Sequence, residues 1–396
     1  MASLSQLFRN GDKSWITRQT EARTLTDNAT HGYGFHHVRK PLRHSRRMLA
    51  DLPGPIARVS VVHDNRCTHT APLANGSLIR TAKIAETTMT QLTNSRLAWF
   101  NGKFMPENQV LIPFRDRSWR YGDGAFDMTR TFNGRAFRLK EHIDRFYCSL
   151  RYLRLDPGMS PQEMIDVSEQ IVVRNEHLRG AAGDWWIGQR VSRGVDPIAD
   201  EALEHSGPNV VVECTPLPLK ARARQFRDGL DVWTPAQRRI APDMLSPRAK
   251  THNYLNMIVA EQSVKAHDPE GWAVLLDVNG NLAEGMGSNI FVVRGGTLYT
   301  PSERYVLPGI SRQMTLDLAR KLAIPAIEGD IDLFDAANAE EMFLTSTSLC
   351  IAGVRSFNGA KIGDGRAPGP ITKRLTDAYI AEVGCDFVKQ YLDRLS

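Results

Sequence analysis

From Leu97 onward the apolar residues of this chain recur with the period of a strand or of a helix; over residues 1–88 they keep neither. The run L-A-W-F-N-G-K-F-M-P predicts two strands joined at Asn101-Gly102. Alternation around Ala125, Phe126 and Thr129 to Phe132 predicts a third. Asn133-Gly134 is the strongest short hairpin signal, and Ala136 to Leu139 is the expected return. Ile143, Phe146, Tyr147, Leu150 and Leu153 then share one helical face, which predicts an amphipathic helix over 140–155 with Arg145 off the apolar stripe. Ser160-Pro161-Gln162-Glu163 has capping-box spacing with proline at the first helical position, and that helix continues through Ile165, Val167, Ile171 and Val172. Strands are expected at 184–194 and 209–213.

These elements group into a small α/β domain at 93–216. A segment rich in proline, lysine and arginine, 217–227, reads as a connector, and a larger domain occupies 228–396. No internal repeat appears. Residues 1–92 read as a basic, disordered extension, with Met89 as the expected natural start. The extension changes the meaning of the net charge of +6. Residues 1–88 hold 13 Lys/Arg against 6 Asp/Glu, a balance of +7, so the body of the chain carries −1. No aromatic platform or recognition motif accompanies that charge, and no nucleic-acid partner is expected. No apolar run approaches the ~20 residues that span a bilayer, so no membrane association is expected either. Cys67, Cys148, Cys214, Cys350 and Cys385 are scattered without C-x-x-C spacing, which predicts reduced thiols in a cytoplasmic protein and no metal site.

Four stretches carry candidate chemistry. Ser246 to Tyr254 reads S-P-R-A-K-T-H-N-Y and opens an apolar helix at Met257 to Ala260; a lysine such as Lys250 can form a Schiff base with an aldehyde. In L-D-V-N-G-N-L-A-E-G-M-G-S-N (276–289), two strands flank the turn Asn279-Gly280 and Glu284 ends the second in a glycine-rich bend. Leu307-Pro308-Gly309-Ile310-Ser311-Arg312 opens a helix marked by Met314, Leu318 and Leu322. Gly309 lets the backbone approach closely there, and a helix N-terminus with the Ser311 hydroxyl makes an anion site. Phe343 to Ser348, F-L-T-S-T-S, is a strand ending in hydroxyl residues.

Together with Y-G-D-G-A-F-D-M-T-R (121–130) and E-H-I-D-R (141–145), these stretches resemble, in the same order, the fold-type-IV pyridoxal-phosphate enzymes. That family includes branched-chain and D-amino-acid aminotransferases, (R)-amine transaminases and aminodeoxychorismate lyase. The resemblance covers Leu97 to Gly384. It implies an α/β fold of two domains, the larger with a mixed, β-barrel-like core, a homodimer, and pyridoxal 5'-phosphate as cofactor. By resemblance Lys250 would bind the cofactor and shuttle the reacting proton. Glu284 would face the pyridine nitrogen and keep it protonated, which makes the ring an electron sink. Leu307 would pack on the ring, Tyr254 would add a contact, and Ile310, Ser311, Thr347 and Arg145 would hold the phosphate. The implied activity is ping-pong transfer of an amino group between an amino acid and a 2-oxo acid.

The substrate set implied by the resemblance is Tyr121, Phe126, Arg130 and Ser348. Tyr121, Phe126 and Arg130 match the branched-chain pattern Y-G-x-x-x-F-E-G-x-R, which makes that substrate class the expectation. Met128 stands where the pattern has glycine, Gly188 stands where branched-chain enzymes have a strand arginine, and no R-x-H follows Arg193-Gly194 as in the D-amino-acid enzymes. An (R)-amine or D-amino-acid transaminase is therefore the alternative, followed by aminodeoxychorismate lyase. A scaffold that binds a partner without catalysis would require a damaged cofactor site, yet Lys250, Glu284, Arg145 and the phosphate loop are all present.

Overall fold

The structure, a computed structural model, describes residues 96–180, 183–199, 203 and 206–395. The expectations for residues 1–92, including the start at Met89, lie outside the described residues.

The first half builds one antiparallel sheet from β1 (Leu97–Phe100), β2 (Lys103–Pro106), β3 (Gly124–Phe132), β4 (Arg135–Ala136), β5 (Trp185–Ser192) and β6 (Asn209–Pro216), in the order β2-β1-β6-β5-β3-β4. Its turns follow the sequence signals. Asn133 and Gly134 take φ of 52° and 78°, the left-handed pair that matches the twist of a two-residue hairpin. The returning strand is shorter than the sequence predicts. Arg138 at φ 50° breaks it, and the helix begins at once.

Helix α1 (Arg117–Tyr121) precedes β3, and α2 (Leu139–Tyr152) and α3 (Pro161–Asn175) cover one face of the sheet. The capping box forms as read, with Ser160 and Glu163 each accepting from the other's backbone N–H. Alternation decides what each face holds. Ala125, Ile187, Val191, Val210 and Val212 pack on Ile143, Phe146, Leu150 and Ile171. On β3 the odd-numbered residues therefore face α2, which leaves Phe126 and Met128 on the opposite face.

The segment read as a connector contains a helix, α4 (Leu219–Asp228), because Leu219, Ala223 and Phe226 recur at helical spacing. Beyond it lies a mixed sheet of β7 (Leu230–Trp233), β8 (Trp272–Ala273), β9 (Glu284–Gly285), β10 (Ser288–Arg294), β11 (Thr297–Pro301), β12 (Ala326–Gly329), β13 (Glu341–Ser346), β14 (Cys350–Phe357) and β15 (Ala360–Lys361). Six of these close on themselves in the order β10-β13-β14-β7-β8-β9. Extended chain after β8 supplies the seam: Leu275 N–H donates to the Glu284 carbonyl (3.0 Å) and Ala283 N–H to the Leu275 carbonyl (2.9 Å). The mixed barrel expected from the resemblance is thus present, and Glu284 sits on its seam.

The strands β10 and β13 read as continuous apolar runs because both faces are buried. Ile290, Val292, Met342 and Leu344 fill the inner cluster. Phe291 and Phe343 stack at 4.9 Å in the outer one, beneath α6 (Ile310–Lys321) and α8 (Pro370–Val383). The remaining helices are α5 (Leu255–Lys265), α7 (Leu333–Ala337) and α9 (Phe387–Leu392). Tyr391 of α9 stacks on Phe226 of α4 at 4.3 Å, which fastens the C-terminal end to the helix between the two sheets.

Candidate active site

A cavity of about 540 Å³ lies where the exposed face of β3, the seam of the barrel, the start of α6 and the turn after β13 meet. Ten of the twelve residues singled out in the sequence line it: Phe126, Arg145, Lys250, Tyr254, Glu284, Leu307, Ile310, Ser311, Thr347 and Ser348.

Lys250 reaches the cavity because its segment is laid against the start of β3. Phe126 N–H donates to the Lys250 carbonyl (3.0 Å), Lys250 N–H donates to Ser149 Oγ (3.0 Å), and His252 N–H donates to the Gly124 carbonyl (2.9 Å). Glycine is required at 124, since a Cβ would stand 2.6 Å from the Val191 carbonyl oxygen and 2.7 Å from His252 Nδ1. Lys250 Nζ donates to the Tyr254 hydroxyl (2.9 Å) and lies 4.5 Å from the Phe126 ring centroid. The amine is thus fixed by one hydroxyl and one ring.

Glu284 is a buried carboxylate held on two sides. Arg239 Nε donates to Oε1 (2.8 Å) and Leu307 N–H donates to Oε2 (2.9 Å). Each oxygen keeps a further lone pair for a third donor, which a ring N–H could supply. The bond from Leu307 also ties this carboxylate to the loop that opens α6.

At that loop Gly309 is the N-cap of α6, and no side chain caps the helix. Its first-turn N–H groups therefore have no side-chain partner, which suits an anion. The glycine there meets a spatial need, not a conformational one: φ is −67°, but a Cβ would fall 2.1 Å from Asn289 Oδ1. Asn289 Nδ2 in turn donates to the Leu307 carbonyl (3.0 Å).

Two expected donors are partly committed elsewhere. Ser311 Oγ donates to the Ser346 carbonyl (3.0 Å) and joins helix start to strand end. Arg145 gives its bidentate face to Asp127, from Nε (2.9 Å) and Nη2 (2.7 Å), and one Nη1 hydrogen to the Pro308 carbonyl (3.0 Å). Of the five guanidinium hydrogens, one on Nη1 and one on Nη2 stay uncommitted, the latter on the side of His142 Nδ1 at 3.3 Å, so the two-nitrogen edge of Arg145 is given to Asp127 and not to the cavity. Asp127 also accepts from His142 Nδ1 (2.7 Å), and since a carboxylate only accepts, that nitrogen carries the proton. Loss of water pushes the Asp127 carboxyl up, but Arg145 and His142 outweigh it and hold it well below the usual carboxylate range.

The wall also holds two buried hydroxyls, Ser288 Oγ and Thr345 Oγ1, with no hydrogen-bond partner. Buried polar groups are normally satisfied, so these call for a polar occupant. One cavity thus offers an amine, a buried carboxylate, an uncapped helix N-terminus and unpaired hydroxyls. An aldehyde, a cationic ring nitrogen and a phosphate each find a matching partner there.

The structure does not bring Tyr121 and Arg130 to this wall. Tyr121 is 59% exposed, with the Arg120 guanidinium 4.7 Å from its ring centroid. Arg130 shares the face of Phe126 and Met128 but lies further along β3, where it is buried at 2% exposure. It donates to the carbonyls of Thr131 (3.0 Å) and Ser348 (3.1 Å) and to Gln390 Oε1 (3.0 Å). Its place as a substrate contact is corrected to that of a brace behind the turn carrying Ser348. Sequence reading passed over Asp127, His142, Arg239 and Asn289. Asp127 lies inside the D-M-T-R motif and Asn289 inside G-S-N, so both had a local signal; Arg239 had none.

Residues 124–357 match the Amino-transferase class IV family. A putative branched-chain-amino-acid aminotransferase from Methanocaldococcus jannaschii is 35% identical over 283 residues, covering 71% of this chain and 94% of that protein. A D-alanine aminotransferase from Listeria monocytogenes is 28% identical over 285 residues, covering 72% and 94%. Among solved structures, the T.th. branched-chain amino acid aminotransferase complexed with N-(5'-phosphopyridoxyl)-L-glutamate superposes with a TM-score of 0.64 at 27% identity, over 73% of this chain and 94% of that one.

Proposed function

The chain belongs to the Amino-transferase class IV family, and from that premise we propose the part each residue plays and the substrates it takes. It is a pyridoxal-phosphate-dependent aminotransferase. The observation that carries the site assignment is the convergence of Lys250, Glu284 and the α6 N-terminus on one cavity from three separate segments. Pyridoxal phosphate, when bound, supplies an aldehyde that carries the amino group and a ring that accepts electron density from the substrate carbon. Lys250 Nζ takes the proton from substrate Cα and returns it in the second half of a ping-pong cycle, with Tyr254 orienting the amine. Glu284 places a fixed anion at the ring nitrogen, supported by Arg239. The first-turn amides of α6, Thr347 and the uncommitted Arg145 Nη1 hydrogen receive the phosphate. Leu307 and Ile310 pack beside the ring and keep water from it.

For the substrate we take the branched-chain amino acids and their 2-oxo acids, because Phe126, Met128 and Trp186 give the cavity an apolar wall. A D-amino-acid or (R)-amine specificity is the second reading. It is favoured by Gly188, which stands where branched-chain enzymes have a strand arginine; a Cβ there would stand 2.7 Å from Glu213 Oε1, so a larger residue would have to move the Glu213 side chain. The two sheets are read as a small and a large domain that meet at the cavity. A homodimer is proposed from the exposed apolar run of Leu111, Phe114 and Trp119, the last 78% exposed, and a cytoplasmic location from the free cysteines among the described residues.

The test is the visible spectrum of the holoenzyme titrated separately with L-leucine, L-glutamate, D-alanine and (R)-1-phenylethylamine. Loss of the cofactor's resting band with the L-acids supports the branched-chain reading. Conversion only by the D-acid or the amine moves the assignment to the rival. Absence of any band with pyridoxal phosphate supplied would remove the role given to Lys250.

A further inference from the structure

Two arginines line the cavity, Arg145 and Arg222, and they differ in one respect. Arg145 is neutralised by Asp127 at 2.7 Å. Arg222, from α4, has no carboxylate within ion-pair distance among the described residues; its partners are the Ser348 hydroxyl and two indole rings, Trp186 at 5.3 Å and Trp272 at 5.6 Å. Other enclosed arginines are paired. Arg130 has Asp184 at 3.9 Å, Arg239 has Glu284 at 2.8 Å and Arg312 has Glu328 at 2.5 Å. Burial pulls the Arg222 guanidinium below its ordinary pKa, yet an arginine stays cationic at neutral pH. The Glu261 carboxylate, also on the cavity wall, acts on this cation only at longer range, and a cation with no direct counter-ion in an enclosed wall is costly until an anion arrives.

We infer that Arg222 is the carboxylate receptor of this active site, binding a carboxylate of the amino donor and of the 2-oxo acid acceptor. This rests on the aminotransferase reading above. Arg222 bonds to Ser348, one residue beyond Thr347, so the cation stands beside the turn proposed to hold phosphate. The indole rings of Trp186 and Trp272 restrict the plane of the guanidinium, which presents its fork to a planar anion. Trp186 lines the same wall, and its Nε1 is a buried donor with no partner. With glycine at 188, this arrangement supplies a cation from a different element of the fold.

A carboxylate could be the one common to all amino acids or the distal one of a dicarboxylic acid. The experiment separates them. Propionate, glutarate and the neutral isostere propionamide are titrated by calorimetry into holoenzyme of the wild type, Arg222→Met and Arg222→Lys, each matched for melting temperature and bound cofactor. In Arg222→Met both anions should bind about 10- to 150-fold more weakly, the effect of losing a charged hydrogen bond, while propionamide is unaffected. Arg222→Lys should recover part of the loss, and the KM for the accepted 2-oxo acid should rise in Arg222→Met. Weakening of glutarate alone assigns Arg222 to the distal carboxylate. Unchanged anion binding in Arg222→Met, an equal loss for propionamide, or no anion binding by the wild type would each overturn the proposal. A wild-type holoenzyme that binds the anions through Arg222 but transfers no amino group would instead remove the function it rests on.

Discussion

Asp127→Asn should destabilise the protein far more than a one-atom change suggests. Asp127 is 0% exposed and its carboxylate receives four donors. Oδ1 accepts from Met128 N–H (2.7 Å), His142 Nδ1 (2.7 Å) and Arg145 Nη2 (2.7 Å), and Oδ2 accepts from Arg145 Nε (2.9 Å). An asparagine can offer an acceptor on one side only. Placed at either oxygen's position, its amide N–H points at an arginine N–H. At least one buried donor then loses its partner, and the guanidinium loses its counter-charge. Breaking a buried pair by removing one member costs about 3–5 kcal/mol. For a protein of this size that lowers the melting temperature by on the order of 10 °C. The effect should reach the cavity, because Asp127 holds the fork of Arg145 while Nη1 faces the α6 loop. Urea and thermal unfolding measure the first consequence, and titration of the apoprotein with pyridoxal phosphate measures the second. A loss below about 1 kcal/mol with unchanged cofactor affinity would refute the view that this carboxylate seats Arg145. The pH dependence has a fixed sign. Asp127 is depressed in the folded protein, so its contribution is present above the ordinary carboxylate pKa and is lost as pH falls through and below it.

Three further outcomes can be checked directly. Gly309→Ala must displace Asn289 or the start of α6, since the new Cβ would stand 2.1 Å from Asn289 Oδ1; overpacking of about 1–3 kcal/mol should weaken pyridoxal phosphate binding by about 5- to 150-fold, read by fluorescence titration. Glu284→Gln keeps an acceptor for Leu307 N–H but removes the charge, so kcat should fall by roughly 100-fold with cofactor still bound, in single-turnover assays. His252 is held down to about 4, by burial first and by Arg190 second, against the weaker pull of Asp116. Its unfolded form therefore takes up a proton first as pH falls below about 6.5, and stability should drop by about 3 kcal/mol by pH 4. A His252→Gln variant should show a flatter slope over that window in denaturant melts.

How much of this was legible in the sequence is clearest on β3. Alternation predicted that strand, and in the structure its period of two sets Phe126, Met128 and Arg130 on one face and Asp127 on the other. Sequence could not show where along the strand the cavity ends. That limit is set by the C-terminal end: Gln390, 260 residues away, accepts from Arg130 and closes over it. The same distance effect hid Arg239, whose partner Glu284 is brought to it by closure of the barrel. Arg222 was concealed differently. Proline, lysine and arginine at 217–227 made the segment read as a connector by composition, although Leu219, Ala223 and Phe226 already carried helical spacing. Once the helix is recognised, Arg222 falls three residues after Leu219 and four before Phe226, so a cation sits on the inward-facing stripe itself. Motif positions such as Lys250 and Gly309 are readable because their chemistry is local to a turn or a helix start. A receptor for charge is defined by the partners it lacks, and that absence exists only after the chain has folded.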